Sequence, residues 1–128
     1  MTYFFSRQLD MNHADTVTAV REALAAEGFG VITEIDLKQT FKSKLGIDFR
    51  PYVILGACNP KLAYEALLLE DHAGVMLPCN VVVQQLTDRL TEVAAIDPAA
   101  SMQAIDNPAL HRQAQVVGEK LRMVLARL

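Results

Sequence analysis

Tryptophan is absent from this sequence and aromatic residues make up only 6% of it. The core must therefore be aliphatic, built from Val, Leu, Ile and Ala. Cysteine is scarce as well: Cys58 and Cys79 are the only two, 21 positions apart. That makes a poor disulfide framework, and a reducing cytoplasm is the expected compartment. No run approaches the roughly 20 apolar residues that a membrane helix needs. The opening Met-Thr-Tyr-Phe-Phe-Ser-Arg carries no basic leader of a secretory signal. A cationic block is missing too, with 12 Lys and Arg against 15 Asp and Glu and a net charge of −3. The densest basic stretch, Lys38, Lys42 and Lys44, reads as the wet face of a short helix. Binding to nucleic acid depends on clustered cations that neutralise phosphates. Neither nucleic acid nor a membrane is an expected partner.

Catalytic motifs are equally scarce. No Gly-rich phosphate loop, nucleophile elbow or H-E-x-x-H occurs. There is no C-x-x-C, and His13, His72 and His111 show no metal-ligand spacing. By motif the chain is not a recognisable enzyme, and no cofactor or metal is implied.

What is present is a well-filled single domain. The 128 residues are 52% hydrophobic, and a domain of that size buries roughly two thirds of its unfolded surface. Thr2 to Ser6 predicts a first strand. Asn12 predicts a helix cap, with Val17, Val20 and Leu24 on one face and Gly28 past the end. Phe29 to Ile35 alternates as a strand. Asp36 and Gln39 resemble a capping box, opening a short helix with Leu37, Phe41 and Leu45 that Gly46 stops. Pro51 forces Arg50 into an extended conformation, and Tyr52 to Ala57 is an apolar strand. Asn59-Pro60 starts a helix to about Glu70.

Gly74 to Leu77 reads as a brief strand ended by Pro78. Cys79 to Leu86 and Leu90 to Ile96 form a hairpin around Thr87-Asp88-Arg89. Ala99 to Ile105 is weakly patterned. Asn107-Pro108 then opens a last helix striped by Leu110, Ala114, Val117, Leu121, Val124 and Leu128. The order β-α-β-α-β-α-β-β-β-α implies an α+β, two-layer fold: a mixed or antiparallel sheet with helices on one face.

Several strands are apolar on both parities, as in Val81, Val82 and Val83, or Tyr52, Val53, Ile54 and Leu55. A sheet face turned to water should alternate, so the second face needs a cover. Another copy of the chain is the simplest one, since most soluble oligomers are symmetric homo-oligomers. A bound apolar ligand or a helix from the segment around Met102 are the alternatives.

Two Cys-Asn dipeptides mark the candidate site. Cys58 ends a strand beside the helix start at Asn59-Pro60, where the partial positive charge of a helix N-terminus favours thiolate. The competing role is that of a small buried packing residue. Cys79 shares parity with Val81 and Val83, which marks it as core, whereas Asn80 faces the other way. A buried Asn there would tie down a loop or line a pocket. Arg50 is a candidate anion partner, or one half of an ion pair with Glu34 or Asp48. His72, in an expected loop, is a candidate base for a thiolate, though a lone loop His is usually an ordinary surface residue.

The segments Phe29-Gly30-Val31-Ile32-Thr33-Glu34-Ile35-Asp36, Asp48-Phe49-Arg50-Pro51-Tyr52, Gly56-Ala57-Cys58-Asn59-Pro60 and Leu77-Pro78-Cys79-Asn80-Val81-Val82-Val83 resemble the domain of unknown function 302 family. Asn107-Pro108-Ala109-Leu110 fits its C-terminal helix start. The resemblance implies an α+β fold with an antiparallel sheet, commonly dimeric, and supplies no reaction. The leading expectation is a homodimeric domain in a sensory or accessory role. It binds a small anionic or polar ligand through Arg50, Cys58, Asn59 and Asn80, with Glu34 nearby. The alternatives are thiol redox, sulfur handling or soft-metal binding through Cys58 and Cys79, and a purely structural domain that meets a protein partner.

Overall fold

Each α-helix begins where a short polar side chain takes up a backbone N–H that the helix itself leaves unpaired. The structure, a computed structural model, describes residues 2–128. Asn12 accepts from Asp15 N ahead of α1 (His13–Ala26), and Asp36 from Gln39 N ahead of α2 (Leu37–Leu45). Asn59 accepts from Leu62 N ahead of α3 (Pro60–Leu69). Asp97 and Asn107 do the same for α4 (Pro98–Ser101) and α5 (Pro108–Ala126). Gly46, at φ 65°, ends α2 in the left-handed region that a side chain would disfavour.

Between the helices run β1 (Phe4–Asp10), β2 (Gly30–Asp36), β3 (Tyr52–Cys58), β4 (Cys79–Thr87) and β5 (Leu90–Ile96). They form one sheet in the order β1-β5-β4-β3-β2, antiparallel at every pairing. The α+β reading therefore holds, and of the mixed and antiparallel options the sheet is antiparallel.

Register sorts the side chains. Leu55 pairs with Val81 and Ala57 with Cys79, while Val83 pairs with Val93 and Val81 with Ala95. Directly paired residues project to the same side, so these form one apolar face. Val20 and Leu24 of α1 and Leu121 and Val124 of α5 pack on it in a single core cluster. A smaller cluster, Ala66, Met102, Leu110 and Ala114, joins α3, the end of α4 and α5. The opposite parity carries Ile54, Val82, Gln84, Glu92 and Ala94, all half-buried. On that face α2 reaches only one corner, where Phe41 meets Phe49 edge-on and Phe49 tilts against Tyr52.

Four sequence expectations change. Gly74–Leu77 is not a strand: the chain forms a 3-10 helix over Asp71–Met76, with Glu70 capping it through His72 N at 3.1 Å. Among the described residues no strand pairs with this segment, and the chain satisfies its hydrogen bonds locally, Ala73 N donating to Glu70 O and Leu77 N to Gly74 O. The first strand runs to Asp10 instead of Ser6, because β1 pairs with β5 from Phe4↔Ile96 through Asp10↔Leu90. Ile32, expected to sit in a regular strand beside Val31, is the extra residue of a β-bulge between Val31 and Thr33, and is 61% exposed. Within the weakly patterned Ala99 to Ile105, the first residues complete α4.

Candidate functional site

The chain reverses at two neighbouring points, Cys58-Asn59 and Pro78-Cys79, and the register brings them together. Ala57 pairs with Cys79, so Cys58 and Cys79 sit at the same end of adjacent strands. Beside them, beneath α3 and α5, lies a narrow cavity of ≈ 40 Å³. Cys58, Asn59, Cys79, Met102, Leu110 and Gln113 are among its lining residues.

The polar groups of this cavity are largely occupied by the fold. Asn59 Oδ1 accepts from Leu62 N at 3.3 Å, and Gln113 Nε2 donates to Leu62 O at 2.8 Å. Gly28 turns beneath Asn59 at φ 86°, and a Cβ there would lie 3.1 Å from Asn59 Nδ2. Cys58 is half-buried and Cys79 buried. Burial, and secondarily the neighbouring Cys58, push the Cys79 thiol up to about 11. At neutral pH it is a protonated thiol, which argues against Cys79 as a nucleophile.

Asn80 lies on the other side of the sheet. It is exposed, not the buried amide expected from its strand position, and it lines an open hollow of ≈ 270 Å³. Phe4, Tyr52, Val82, Gln84 and Glu92 also line it. One row of this face is a hydrogen-bonded chain. Arg50 Nε donates to Gln84 Oε1 at 2.9 Å, and Gln84 Nε2 donates to Glu92 Oε1 at 3.0 Å. The Arg50 guanidinium stacks 4.4 Å from the Phe49 ring centre and 5.6 Å from that of Tyr52. Stacking and the Nε bond hold the guanidinium in place, and its Nη nitrogens make no further hydrogen bond among the described residues.

The expected site residues thus fall into three places. Cys58, Asn59 and Cys79 meet in the cavity on the helix side. Arg50 and Asn80 belong to the open face. Glu34 pairs with Leu55 and so turns to the helix side, where Arg21 binds it at 3.0 Å. Neither ion pair considered for Arg50 forms, since Asp48 meets Lys42 at 3.1 Å. His72 is exposed and contacts Asp71 and Glu70, away from both concavities.

Sequence reasoning passed over Gln84, Glu92, Tyr52 and Met102. The first was within reach, because Asn80, Val82 and Gln84 share strand parity. Glu92 needed the hairpin register, and Met102 only joins Cys58 and Cys79 through the path of α4.

Comparison with known proteins places these features in a family. The profile described as Domain of unknown function DUF302 matches residues 5–128. A crystal structure of an uncharacterized conserved DUF302 protein from Bacillus stearothermophilus is similar at 29% identity with a TM-score of 0.92, covering 99% of this chain and 98% of that one. No curated protein matches.

Proposed function

We propose a binding role for this chain, which belongs to the domain of unknown function DUF302 family. In this reading it is a homodimeric sensory or accessory domain, and its ligand is small, with an apolar body and a carboxylate or phosphate. The ligand lies in the hollow on the open sheet face, its anionic group on the Arg50 Nη pair and a polar group on Asn80. The observation that carries the reading is the Arg50–Gln84–Glu92 chain. A guanidinium fixed by stacking and by one side-chain bond is ready to take an anion bidentately. Glu92 disfavours a ligand bearing negative charge at both ends.

The hollow is shallower than a typical ligand pocket of roughly 300–1,000 Å³. A second copy laid over the face would close it. Tyr3 at 65% and Ile35 at 45% exposure supply apolar surface for that contact: Tyr3 lines the hollow, and Ile35 pairs with Ile54 on the same face. Sedimentation velocity at micromolar concentration should find a dimer. Thermal melts against a panel of small mono-carboxylates and phosphate monoesters should find at least one that raises Tm, with the rise lost in Arg50→Met. A monomer whose Tm no member of the panel moves would sink the reading.

A further inference from the structure

The hollow on the open sheet face offers both signs of charge to one small molecule. Among the described residues Glu92 is the one charged side chain in its lining. Arg50 adjoins it through the 2.9 Å bond to Gln84 Oε1, and Gln84 Nε2 donates in turn to Glu92 Oε1 at 3.0 Å. One carboxamide therefore spaces a guanidinium from a carboxylate. Neither of the two enters an ion pair among the described residues. We propose, resting on the binding role assigned to this face above, that the ligand is a zwitterion: an α-amino acid with its carboxylate on Arg50 and its ammonium on Glu92.

Charge decides against a simple anion. A mono-carboxylate would set a second negative charge near Glu92, with Arg50 alone to balance both. Once a second copy closes the face, that excess lies away from water, where an uncompensated charge is costly. An ammonium on the same molecule restores neutrality, two positive charges against two negative. Glu92 has acceptor capacity to spare for it, because an ionised carboxylate offers about four lone-pair sites and Gln84 Nε2 takes one.

Shape points the same way. A carboxylate and an ammonium on one carbon are nearly as close as the oxygen and nitrogen of the Gln84 amide. Such a molecule can lie over that amide and bridge the same two partners. Register lays out the rest of the ligand. Gln84 pairs with Glu92 and Val82 with Ala94, and Val82 projects to the same side as Gln84. A side chain leaving the α-carbon of the ligand runs over Val82 and Ala94 toward Asn80, with Phe4 and Tyr52 among the walls. Asn80 lies roughly 13 Å of strand from Gln84, so a side chain ending in a hydroxyl approaches it and a short aliphatic one stops over Val82.

The test is isothermal titration of the full chain with L-tyrosine and L-leucine, each set against its deaminated acid and its decarboxylated amine. The acids are 3-(4-hydroxyphenyl)propanoate and 4-methylpentanoate; the amines are tyramine and 3-methylbutylamine. At least one amino acid should bind about tenfold or more tightly than either of its truncated partners, the usual worth of a hydrogen bond to a charged group. Glu92→Gln keeps an acceptor for Gln84 Nε2. It should bring that amino acid down to the affinity of its deaminated acid and leave the acid unchanged or tighter. Equal weakening of both by Glu92→Gln would mean that Glu92 only holds Gln84 and Arg50 in place, and overturns the zwitterion. A deaminated acid that binds as tightly as its amino acid overturns it too, while its loss in Arg50→Met would leave the anion site standing. Binding by none of the six compounds overturns the amino-acid ligand, and the binding role falls with it only if the carboxylate and phosphate monoester panel is also silent.

Discussion

Cys79 and Asn80 are consecutive in the chain and open onto opposite sides of the sheet. Cys79 is 8% exposed within the helix-side cavity, while Asn80 is exposed on the uncovered face. The alternation of a strand makes this unavoidable. It divides the molecule into a largely apolar cavity and a polar, aromatic hollow, with the sheet between them.

The cavity side should show in the pH dependence of stability. Cys79 titrates near 11 in the folded chain against an ordinary 9.0. Between those values the unfolded chain has lost the proton and the folded chain has kept it. Stability from this group is therefore full below pH 9 and declines as pH rises toward 11. Two pKa units correspond to about 3 kcal/mol. Urea melts at pH 8 and pH 10.5 should show a larger loss for the parent than for Cys79→Ala. Equal losses in both would mean that Cys79 does not titrate in this way.

At Gly56 the sheet is approached closely by Thr33 of β2 and by Pro78, which precedes β4. A Cβ there would collide with Thr33 Oγ1 and lie 2.8 Å from Pro78 Cγ. Gly56→Ala should destabilise the fold by roughly 1–3 kcal/mol, the usual range for overpacking. Adding Thr33→Gly should recover part of that loss, because the two sites share the same space. The check is a double-mutant cycle in urea, and strict additivity would refute the steric cause.

The open face can be tested without touching the core. Val82 is half-buried there and pairs with Ile54 and Ala94. Val82→Glu should leave the circular dichroism spectrum and most of the stability intact. It should convert the proposed dimer to a monomer in sedimentation, because a carboxylate would be buried unpaired at the interface. A dimer that survives this change uses another surface.

The helix caps should differ in a predictable order. Asn107 both caps α5, through Leu110 N at 3.1 Å, and donates from Nδ2 to Leu69 O at 2.9 Å, tying α5 to the end of α3. Asn12 also caps its helix, but its amide bonds only the Asp15 side chain beside it. Loss of a cap costs about 1 kcal/mol. Asn107→Ala should therefore lower stability by about 2 kcal/mol and Asn12→Ala by about half of that, once the net value of a hydrogen bond is added. Equal losses in denaturant melts would show that the Leu69 bond contributes nothing.

Much of the fold was legible because its signals are local. Asn12, Asp36, Asn59 and Asn107 each advertise a helix start by chemistry that acts within three residues. The alternation of Val81 and Val83 against Asn80 and Gln84 assigns faces without knowledge of any partner strand. Gly74–Leu77 misled because a short apolar run looks the same whether or not a strand stands beside it. Ile32 misled because a bulge depends on how β2 meets β3, which its own residues do not announce.

By itself, then, the sequence determined where helices begin, and that Cys79 shares the core parity of Val81 and Val83 while Asn80 faces the other way. Tertiary structure decided which of the marked residues meet. It brought Met102 to the wall of the cavity that Cys58 and Cys79 also line, gave Arg50 to Gln84 instead of to a carboxylate, and turned Glu34 toward Arg21. The physical reason is range. Caps and parity are set by neighbours in the chain, whereas a site is set by sheet register and helix packing, which join residues tens of positions apart.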